Sequence, residues 1–237
     1  MFNGKKIALV TRIMRRLSFL ERTLPTYCKI GEVDEIIIVD WGMKEDLKPL
    51  VKKMNDDRIV IIHVPDKEYF DESAPRNVGV KYSKSDYIFM IDCDVLVHQT
   101  PFNLVDVGSN KFYIKDCKRL GNPYGGLGGT CIFAKFMWKK VNGYVEGLPG
   151  WGGEDLDFYR RLEENRFKRE YCLDARYITH IDHGNYLRTV NNRAKGTIEE
   201  IFNKNKELLM TQNLRSNQQQ YFCYVVESMK EQQCVLL

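Results

Sequence analysis

The first 92 residues alternate between short apolar runs and helical patterns, and this alternation constrains the fold more than any other feature. The apolar runs carry Ile and Val on both faces, as expected for strands buried on both sides of a sheet. Strands are therefore predicted at 5–11, 35–40, 58–64 and 86–92. Helices are predicted between them at 17–28, 44–54 and 74–83. This order is typical of an α/β fold with a mostly parallel sheet, flanking helices and right-handed crossovers.

The remainder of the chain is less regular but continues the same fold class. Strands are predicted at 111–117, 129–134 and 171–181, and helices at 135–141, 154–166 and 194–214. Because no repeat or linker interrupts the chain, we expect a single domain at 1–215, with halves at 1–94 and 95–215. Residues 216–237 are expected to form a C-terminal tail, whose structure the pattern does not assign.

Polar residues end several of the predicted strands. Thr11, Asp40 and Asp92 fall at three of the carboxyl ends, where parallel α/β sheets bind their ligands. They are therefore candidate binding residues. The alternative is that a polar residue simply ends a strand.

Composition excludes several classes of function. The formal net charge of +4 is too small an excess to indicate a nucleic-acid partner. No apolar run approaches the ~18–20 residues of a membrane-spanning helix, and no secretory pattern opens the chain. Seven cysteines without a CxxC pair indicate reduced thiols, and hence a cytoplasmic protein. Cys234 opens a C-a-a-X pattern ending in Leu237, so prenylation and peripheral membrane attachment are an alternative to a plain apolar chain end.

Two clusters of carboxylates and imidazoles are candidate metal ligands. Asp92 and Asp94 flank Cys93 after an apolar strand, and two acids aimed at one pocket need a cation between them. Such oxygen ligands suit Mg²⁺ or Mn²⁺, either of which could clamp a diphosphate. His180 and His183 lie three residues apart at the end of a predicted strand, and imidazole nitrogen favours Mn²⁺. The alternatives are an acidic surface loop and a partly exposed histidine pair.

A third cluster is the glycine-rich segment Gly150-Trp-Gly-Gly-Glu-Asp-Leu-Asp157. Its glycines let the backbone approach a ligand closely, and the indole of Trp151 offers a flat face for a sugar ring. Glu154 and Asp155 open the next predicted helix, whose N-terminus favours the ionised carboxylate that a general base requires. The alternative is a glycine-rich turn with an acidic helix cap.

Together these segments resemble the GT-A fold glycosyltransferases, which use nucleotide-diphospho-sugars. The first half is similar to the family-2 nucleotide-binding region, and the second half to the C-terminal region of the β-1,4-galactosyltransferase and chondroitin-synthase type. The resemblance covers roughly residues 5–190, with order and spacing in agreement. It rests on Ile36–Asp40, Ala74–Gly79, Phe89–Asp94, Leu127–Thr130, Phe136, Val141–Tyr144, Gly150–Asp157 and Arg161-Leu162.

The resemblance implies an inverting, metal-dependent transfer of a hexose, such as Gal or GalNAc, from a UDP-sugar to a carbohydrate or glycosylated acceptor. It implies Asp155 as the general base beside Glu154. It also implies Mn²⁺ or Mg²⁺ held by Asp94, His180 and His183, with His180 in place of the family's Met. Donor-binding roles are implied for Thr11, Arg12, Arg16, Asp40, Phe70, Arg76, Asp92, Gly129, Trp151, Gly153 and Glu154.

Two alternatives come from other classes of protein. A non-catalytic sugar- or nucleotide-binding module would keep the fold without using Asp155. A metal-dependent hydrolase would use the two aspartates and the two histidines without an acceptor, but it leaves the segment around Trp151 unexplained. The donor sugar is open, because Gly126 stands where galactosyltransferases carry a bulky residue and an N-acetyl group could be tolerated there.

Overall fold

The computed structural model describes residues 1–116, 127–211, 223–228 and 232–236, and within these residues nine strands form one sheet. The nine strands are β1 Ile7–Ile13, β2 Glu35–Trp41, β3 Ile59–Val64, β4 Tyr87–Met90, β6 Lys111–Lys115, β7 Cys131–Ala134, β8 Lys168–Leu173, β10 Cys223–Ser228 and β11 Gln232–Leu236. Two further strands, β5 Val95–Val97 and β9 Ile178–His180, pair antiparallel with each other.

The sheet has the strand order β11-β10-β3-β2-β1-β4-β7-β6-β8. The central strands β3, β2, β1 and β4 are mutually parallel, and β1 is buried along its whole length. On one side β7 pairs antiparallel with both β4 and β6, while β6 and β8 are parallel. The predicted α/β class with a mostly parallel sheet is confirmed.

Seven α-helices connect or follow these strands in the described part of the chain. They are α1 Leu17–Cys28, α2 Lys48–Met54, α3 Ala74–Tyr82, α4 Lys135–Lys140, α5 Glu154–Glu164, α6 Tyr186–Thr189 and α7 Ile198–Thr211. The helix α3 packs directly on β1 and β2. Gly79 makes this close approach possible, because a side-chain carbon there would collide with Val10 and lie 3.2 Å from Val39.

The strand predicted at 171–181 is wrong, since this stretch contributes β8 and β9 to two different sheets. A turn at Asp174 separates them. The Asp174 carboxylate accepts hydrogen bonds from the backbone and side chain of Arg176, and its carbonyl accepts one from the N–H of Tyr177. Local hydrogen bonding of this kind competes with strand pairing and ends the strand.

Two helices begin later than the apolar pattern predicts. The helix predicted from residue 44 begins at Lys48, whose N–H donates to the Asp46 carboxylate at 2.9 Å. The helix predicted from residue 194 begins at Ile198. There Thr197 and Glu200 form a capping box, in which each backbone N–H donates to the other side chain. In both places a polar residue fixes the helix start.

One edge of the sheet collects most of the polar side chains predicted to be functional. Two antiparallel pairings separate β6 from β4, so β6 and β8 run in the same direction as β1. The carboxyl ends of β1, β4, β6 and β8 therefore lie at the same edge, together with the amino end of β7. Ligands of α/β sheets bind at this edge.

The segment predicted as a tail adds strands to the opposite side of the sheet. β10 pairs antiparallel with β3, with Val225 opposite His63, and β11 pairs with β10. The domain boundary at residue 215 stays a prediction. So does prenylation: Cys234 lies in β11, whereas Leu237 lies outside the described residues, as does Gly126.

The cysteines and the helices bear on two further expectations from the sequence, namely reduced thiols and the lack of a membrane-spanning helix. Four of the seven cysteines, Cys28, Cys93, Cys131 and Cys172, are free thiols. Among the described residues, no helix has both the length and the apolar character needed to cross a bilayer.

Candidate active site

A cavity of about 890 Å³ opens at the carboxyl edge of the sheet. This volume lies in the usual range of ligand pockets, about 300–1,000 Å³. Its wall is built from the ends of β1, β6 and β8, the residues after β4, the start of α5 and the segment from β9 to α7. The residues predicted from sequence that line it are Arg12, Arg16, Phe70, Arg76, Asp92, Asp94, Gly129, Trp151, Gly153, Glu154, Asp155, His180 and His183.

Three of these side chains form a candidate metal site. One donor atom each from Asp94, His180 and His183 lies within 4.8 Å of the others. The pairing of β5 with β9 brings them together, because it places Val95 opposite His180, and the N–H of Ile181 donates to the Asp94 carbonyl at 2.7 Å. Residues distant in the sequence are thus fixed at one point by backbone hydrogen bonds.

The donor atoms of this trio fit a divalent cation. His183 Nε2 lies 3.0 Å from Asp94 Oδ2, and His180 Nε2 lies 3.8 Å from Asp94 Oδ1. Asp94 Oδ1 is buried and has no hydrogen-bond partner among the described residues. Burial lowers the pKa of His180 and so favours the neutral imidazole that binds metals. One carboxylate and two imidazoles suit Mn²⁺ better than Mg²⁺.

Asp92 lies in the same cavity but contacts two arginines. Arg12 Nη1 donates to Asp92 Oδ1, and Arg76 Nη2 lies 3.6 Å from the same oxygen. Burial raises the pKa of Asp92, but the two guanidinium groups outweigh burial and lower the pKa to about 2. Asp92 is therefore ionised, with its charge matched by arginine.

Each of these arginines also holds a buried glutamate. Arg12 Nη2 donates to Glu72 Oε2 at 2.7 Å, and Arg76 Nη1 donates to Glu154 Oε1 at 2.5 Å. Burial raises the pKa of Glu72 and of Glu154, while the arginines oppose that effect. Two buried arginines thus position three carboxylates in the cavity wall. The second oxygen of Glu154, Oε2, has no hydrogen-bond partner among the described residues.

The glycines before β7 let two functional side chains reach the backbone. A side-chain carbon at Gly129 would collide with the guanidinium group of Arg76. One at Gly128 would lie 2.5 Å from Asp155 Oδ2. The hydroxyl of Tyr159 donates to the Gly128 carbonyl at 2.9 Å and fixes this approach.

Trp151 and Asp155 face the cavity from the start of α5. Gly153 caps this helix with a φ of 97°, in the region that favours glycine. Asp155 is half-buried, and its Oδ1 accepts a hydrogen bond from the N–H of Leu156 at 2.8 Å. The guanidinium carbon of Arg188 lies 5.5 Å from the centre of the Trp151 ring, so a cation covers part of the predicted sugar-binding face.

Two predicted donor-binding residues do not line this cavity. Thr11 is fully buried within β1. Both carboxylate oxygens of Asp40 have partners, since Oδ1 accepts from the N–H of Met43 at 2.8 Å and Oδ2 lies 2.7 Å from His63 Nδ1. Burial raises the pKa of Asp40, with His63 opposing it.

Several cavity residues were missed by the sequence interpretation. Glu72 and Arg188 are the most important, because they contact Arg12 and Trp151. Glu72 could have been found from its position just before the predicted helix that carries Arg76. Arg188 had no such signal, since it lies in a short helix without an apolar pattern.

Known families match the chain in both halves. Residues 10–102 match the family described as Glycosyl transferase family 2, and residues 113–184 match the family described as N-terminal domain of galactosyltransferase. Curated relatives agree with both. Hyaluronan synthase of Pasteurella multocida is 37% identical over 62 residues, covering 26% of this chain and 6% of that protein. Human β-1,4-galactosyltransferase 4 is 28% identical over 161 residues, covering 64% and 44%. The chain thus spans less than half the length of these relatives.

Solved structures share the fold at low sequence identity. The catalytic domain of Drosophila β1,4-galactosyltransferase 7 with xylobiose gives a TM-score of 0.61 at 20% identity, covering 90% of this chain and 81% of that one. A mutant of that enzyme with manganese, UDP-Gal and xylobiose gives 0.59 at 19%, covering 88% and 80%. Staphylococcus aureus TarS with UDP-GlcNAc gives 0.63 at 15%, covering 86% and 65%.

The fold defined by these strands, helices and neighbours is that of the GT-A glycosyltransferases. Within this fold, a segment that matches Glycosyl transferase family 2 is followed along the chain by one that matches the N-terminal domain of galactosyltransferase. The resemblance predicted from the sequence is confirmed.

Proposed function

We propose that this protein is an inverting, metal-dependent glycosyltransferase. It moves a hexose, such as Gal or GalNAc, from a UDP-sugar to a hydroxyl group of a carbohydrate or glycosylated acceptor. The observation that carries this proposal is the convergence of three elements on one cavity: the Asp94, His180 and His183 trio, a set of arginines, and Asp155 beside Trp151. The Drosophila neighbour crystallised with manganese, UDP-Gal and xylobiose supports a UDP-sugar donor and a divalent metal.

Donor binding uses both the negative and the positive groups of the cavity wall. Asp94, His180 and His183 would hold the metal, and a bound Mn²⁺ would neutralise charge on the diphosphate. Arg12 and Arg16 face the same space and add positive charge for the phosphates. Phe70 lies 5.8 Å from the guanidinium carbon of Arg12 and offers an apolar surface for the nucleoside.

Sugar transfer uses two carboxylates, one that contacts the donor sugar and one that contacts the acceptor hydroxyl. Glu154, held by Arg76, accepts hydrogen bonds from the donor sugar through its unpartnered Oε2. Asp155 removes the proton from the acceptor hydroxyl, whose oxygen then attacks the anomeric carbon from the side opposite UDP. The bond to UDP breaks as the new glycosidic bond forms, so the anomeric configuration inverts.

The test is UDP release from a panel of UDP-sugars, with and without Mn²⁺ and a carbohydrate acceptor. We expect Asp155→Asn to lower the transfer rate by about 10²–10⁴-fold, because a general base contributes on that order. Glu164→Gln is the matched control, since Glu164 is an exposed carboxylate on the same helix, paired with Arg160. Activity of Asp155→Asn equal to that of the control contradicts the proposal.

The same assay separates the alternatives. UDP-sugar binding without turnover in any condition indicates a non-catalytic binding module. Release of phosphate or an acyl group without any acceptor indicates a metal-dependent hydrolase using the Asp94 trio. Transfer that is unaffected by a chelator contradicts the metal assignment while leaving the transferase reaction in place.

We further propose that one catalytic domain spans 1–215, with its nucleotide-binding half at 1–94 and its donor-sugar and acceptor half at 95–215. A cytoplasmic location follows from the reduced thiols predicted from the cysteine pattern. Fractionation of cells that express the chain tests this location, and a shift to the membrane fraction that depends on Cys234 favours prenylation instead.

A further inference from the structure

An arginine occupies the carboxylate of the candidate metal site. Arg16 Nη1 donates to Asp94 Oδ2 at 2.8 Å, and His183 Nε2 lies 3.0 Å from the same oxygen. The Asp94 side chain is only 3% exposed, so this ion pair is shielded from water. One oxygen of the metal ligand is therefore already shared by a guanidinium group and an imidazole.

The same arginine is tied to the segment that follows His183. Arg16 Nη2 donates to the Leu187 carbonyl at 2.6 Å, and Leu187 lies in α6, four residues after the histidine. The two branches of one guanidinium group thus join a metal ligand to the cavity wall. Arg16 is held in this position from both ends.

A divalent cation and this guanidinium group compete for the same charge. The trio of Asp94, His180 and His183 contains one carboxylate, and Arg16 already pairs with it. A cation bound to Asp94 would lie a few ångströms from the guanidinium group and be repelled by it. This repulsion favours the departure of Arg16 from Asp94 when a metal binds, and Arg16 faces a cavity large enough for a diphosphate.

We propose that Arg16 is a positioning residue that occupies Asp94 before the donor binds and moves to the diphosphate when the metal enters. Metal and nucleotide then bind cooperatively, since each removes the obstacle to the other. This inference rests on the metal site of the proposed function. It assigns to Arg16 an effect on metal affinity that a simple phosphate contact would not have.

The test is Mn²⁺ affinity, measured by electron paramagnetic resonance without nucleotide. We expect Arg16→Ala to bind Mn²⁺ about tenfold more tightly than the wild type, because a competing charge-assisted hydrogen bond is removed. Arg15→Ala is the matched control. Arg15 is the adjacent cation, and its guanidinium group donates to Asn191 at 3.1 Å instead. Its Mn²⁺ affinity should equal that of the wild type.

The second measurement repeats the Mn²⁺ titrations with UDP present. UDP should strengthen Mn²⁺ binding in the wild type, and this strengthening should be smaller by about tenfold in Arg16→Ala. Arg16→Lys keeps the charge but cannot bridge Asp94 and Leu187. Its Mn²⁺ affinities should therefore fall between those of the wild type and those of Arg16→Ala. Circular dichroism verifies that each variant is folded, and Asp94→Asn shows which signal belongs to this site.

The outcomes separate the inference from the function. Unchanged or weaker Mn²⁺ binding by Arg16→Ala, or an unchanged effect of UDP, overturns the role of Arg16 even if the wild type transfers sugar. Tighter binding supports that role even if no acceptor is found and no UDP is released. Absence of Mn²⁺ binding in every variant, with and without UDP, overturns both the metal site and this inference.

Discussion

At the scale of single residues, the cavity wall is organised by arginines rather than by carboxylates. Arg12 and Arg76 are almost completely buried, and each contacts both a glutamate and Asp92. Isolated buried charges are strongly unfavourable, so removing one partner of such a network costs more than its hydrogen bonds alone. The negative charges that face the cavity are therefore positioned by the positive charges paired with them.

Asp92 gives this network a measurable pH dependence. Its pKa is about 2 in the folded protein, below the ordinary value of 3.8. A lowered carboxyl pKa stabilises the fold above pH 3.8, and this stabilisation is lost as the pH falls towards 2. We expect Asp92→Asn to be less stable than the wild type at pH 7, with the difference shrinking between pH 4 and pH 2.

Urea unfolding at a series of pH values measures this difference. Asp106→Asn is a suitable control, because Asp106 is an exposed carboxylate in a weak pair with Lys111. A difference between Asp92→Asn and the wild type that stays constant down to pH 2 would show that Asp92 is not held ionised by the arginines.

The chemistry of individual residues was more predictable than their partners. The sequence predicted Asp92, Asp94, His180, His183 and Asp155, because each lies at a strand or helix end where a polar side chain is conspicuous. Their contacts depend on the tertiary fold, and no spacing in the sequence shows that Asp92 meets two arginines. In one case a polar residue at a strand end did not indicate a cavity residue. Both carboxylate oxygens of Asp40 already have partners within the protein.

At the scale of elements, the close packing of α3 on the sheet depends on a glycine in the helix. A methyl group at Gly79 would collide with Val10, whose branched side chain is fully buried and has little freedom to move. We expect Gly79→Ala to destabilise the protein by about 1–3 kcal/mol, the usual range for overpacking a core.

Chemical denaturation of Gly79→Ala and Gly31→Ala measures this effect with a matched control. Gly31 has open space around its α-carbon and an ordinary φ, so its substitution should leave stability nearly unchanged. Equal stability of the two variants would mean that α3 can shift away from β1 without loss.

The elements themselves were largely predictable, and their ends were not. Apolar runs such as 36–39 identify strands, because full burial on two faces requires them to be apolar throughout. The break between β8 and β9 is set by the hydrogen bonds of Asp174, and the start of α7 by Thr197 with Glu200. Such contacts are local, but they involve residue types that also occur inside strands and helices.

At the scale of the whole molecule, the candidate site joins distant parts of the chain. The candidate metal ligands come from residues 94 and 180–183, and the arginines from residues 12–16 and 76. Groups this far apart meet only in the folded state, so a ligand that binds them all stabilises the entire fold.

We therefore expect Mn²⁺ with UDP to raise the unfolding temperature by about 10–20 °C when both are near 100 times their Kd, because each ligand then adds about 2.7 kcal/mol. Thermal unfolding followed by circular dichroism measures this rise. It should disappear in Asp94→Asn and persist in Asp182→Asn, an exposed carboxylate beside His183. If Asp94→Asn keeps the full rise in unfolding temperature, the metal binds at a site that does not include Asp94.

The arrangement of Arg188 over Trp151 has a practical consequence for work on this protein. The chain has three tryptophans, and the other two, Trp41 and Trp138, are buried away from the cavity lining. Indole fluorescence responds to nearby charge and to water, so displacement of Arg188 by an entering sugar would alter the emission of Trp151 alone. If the proposed sugar donor binds here, Trp151 is expected to report its binding without a label or an acceptor.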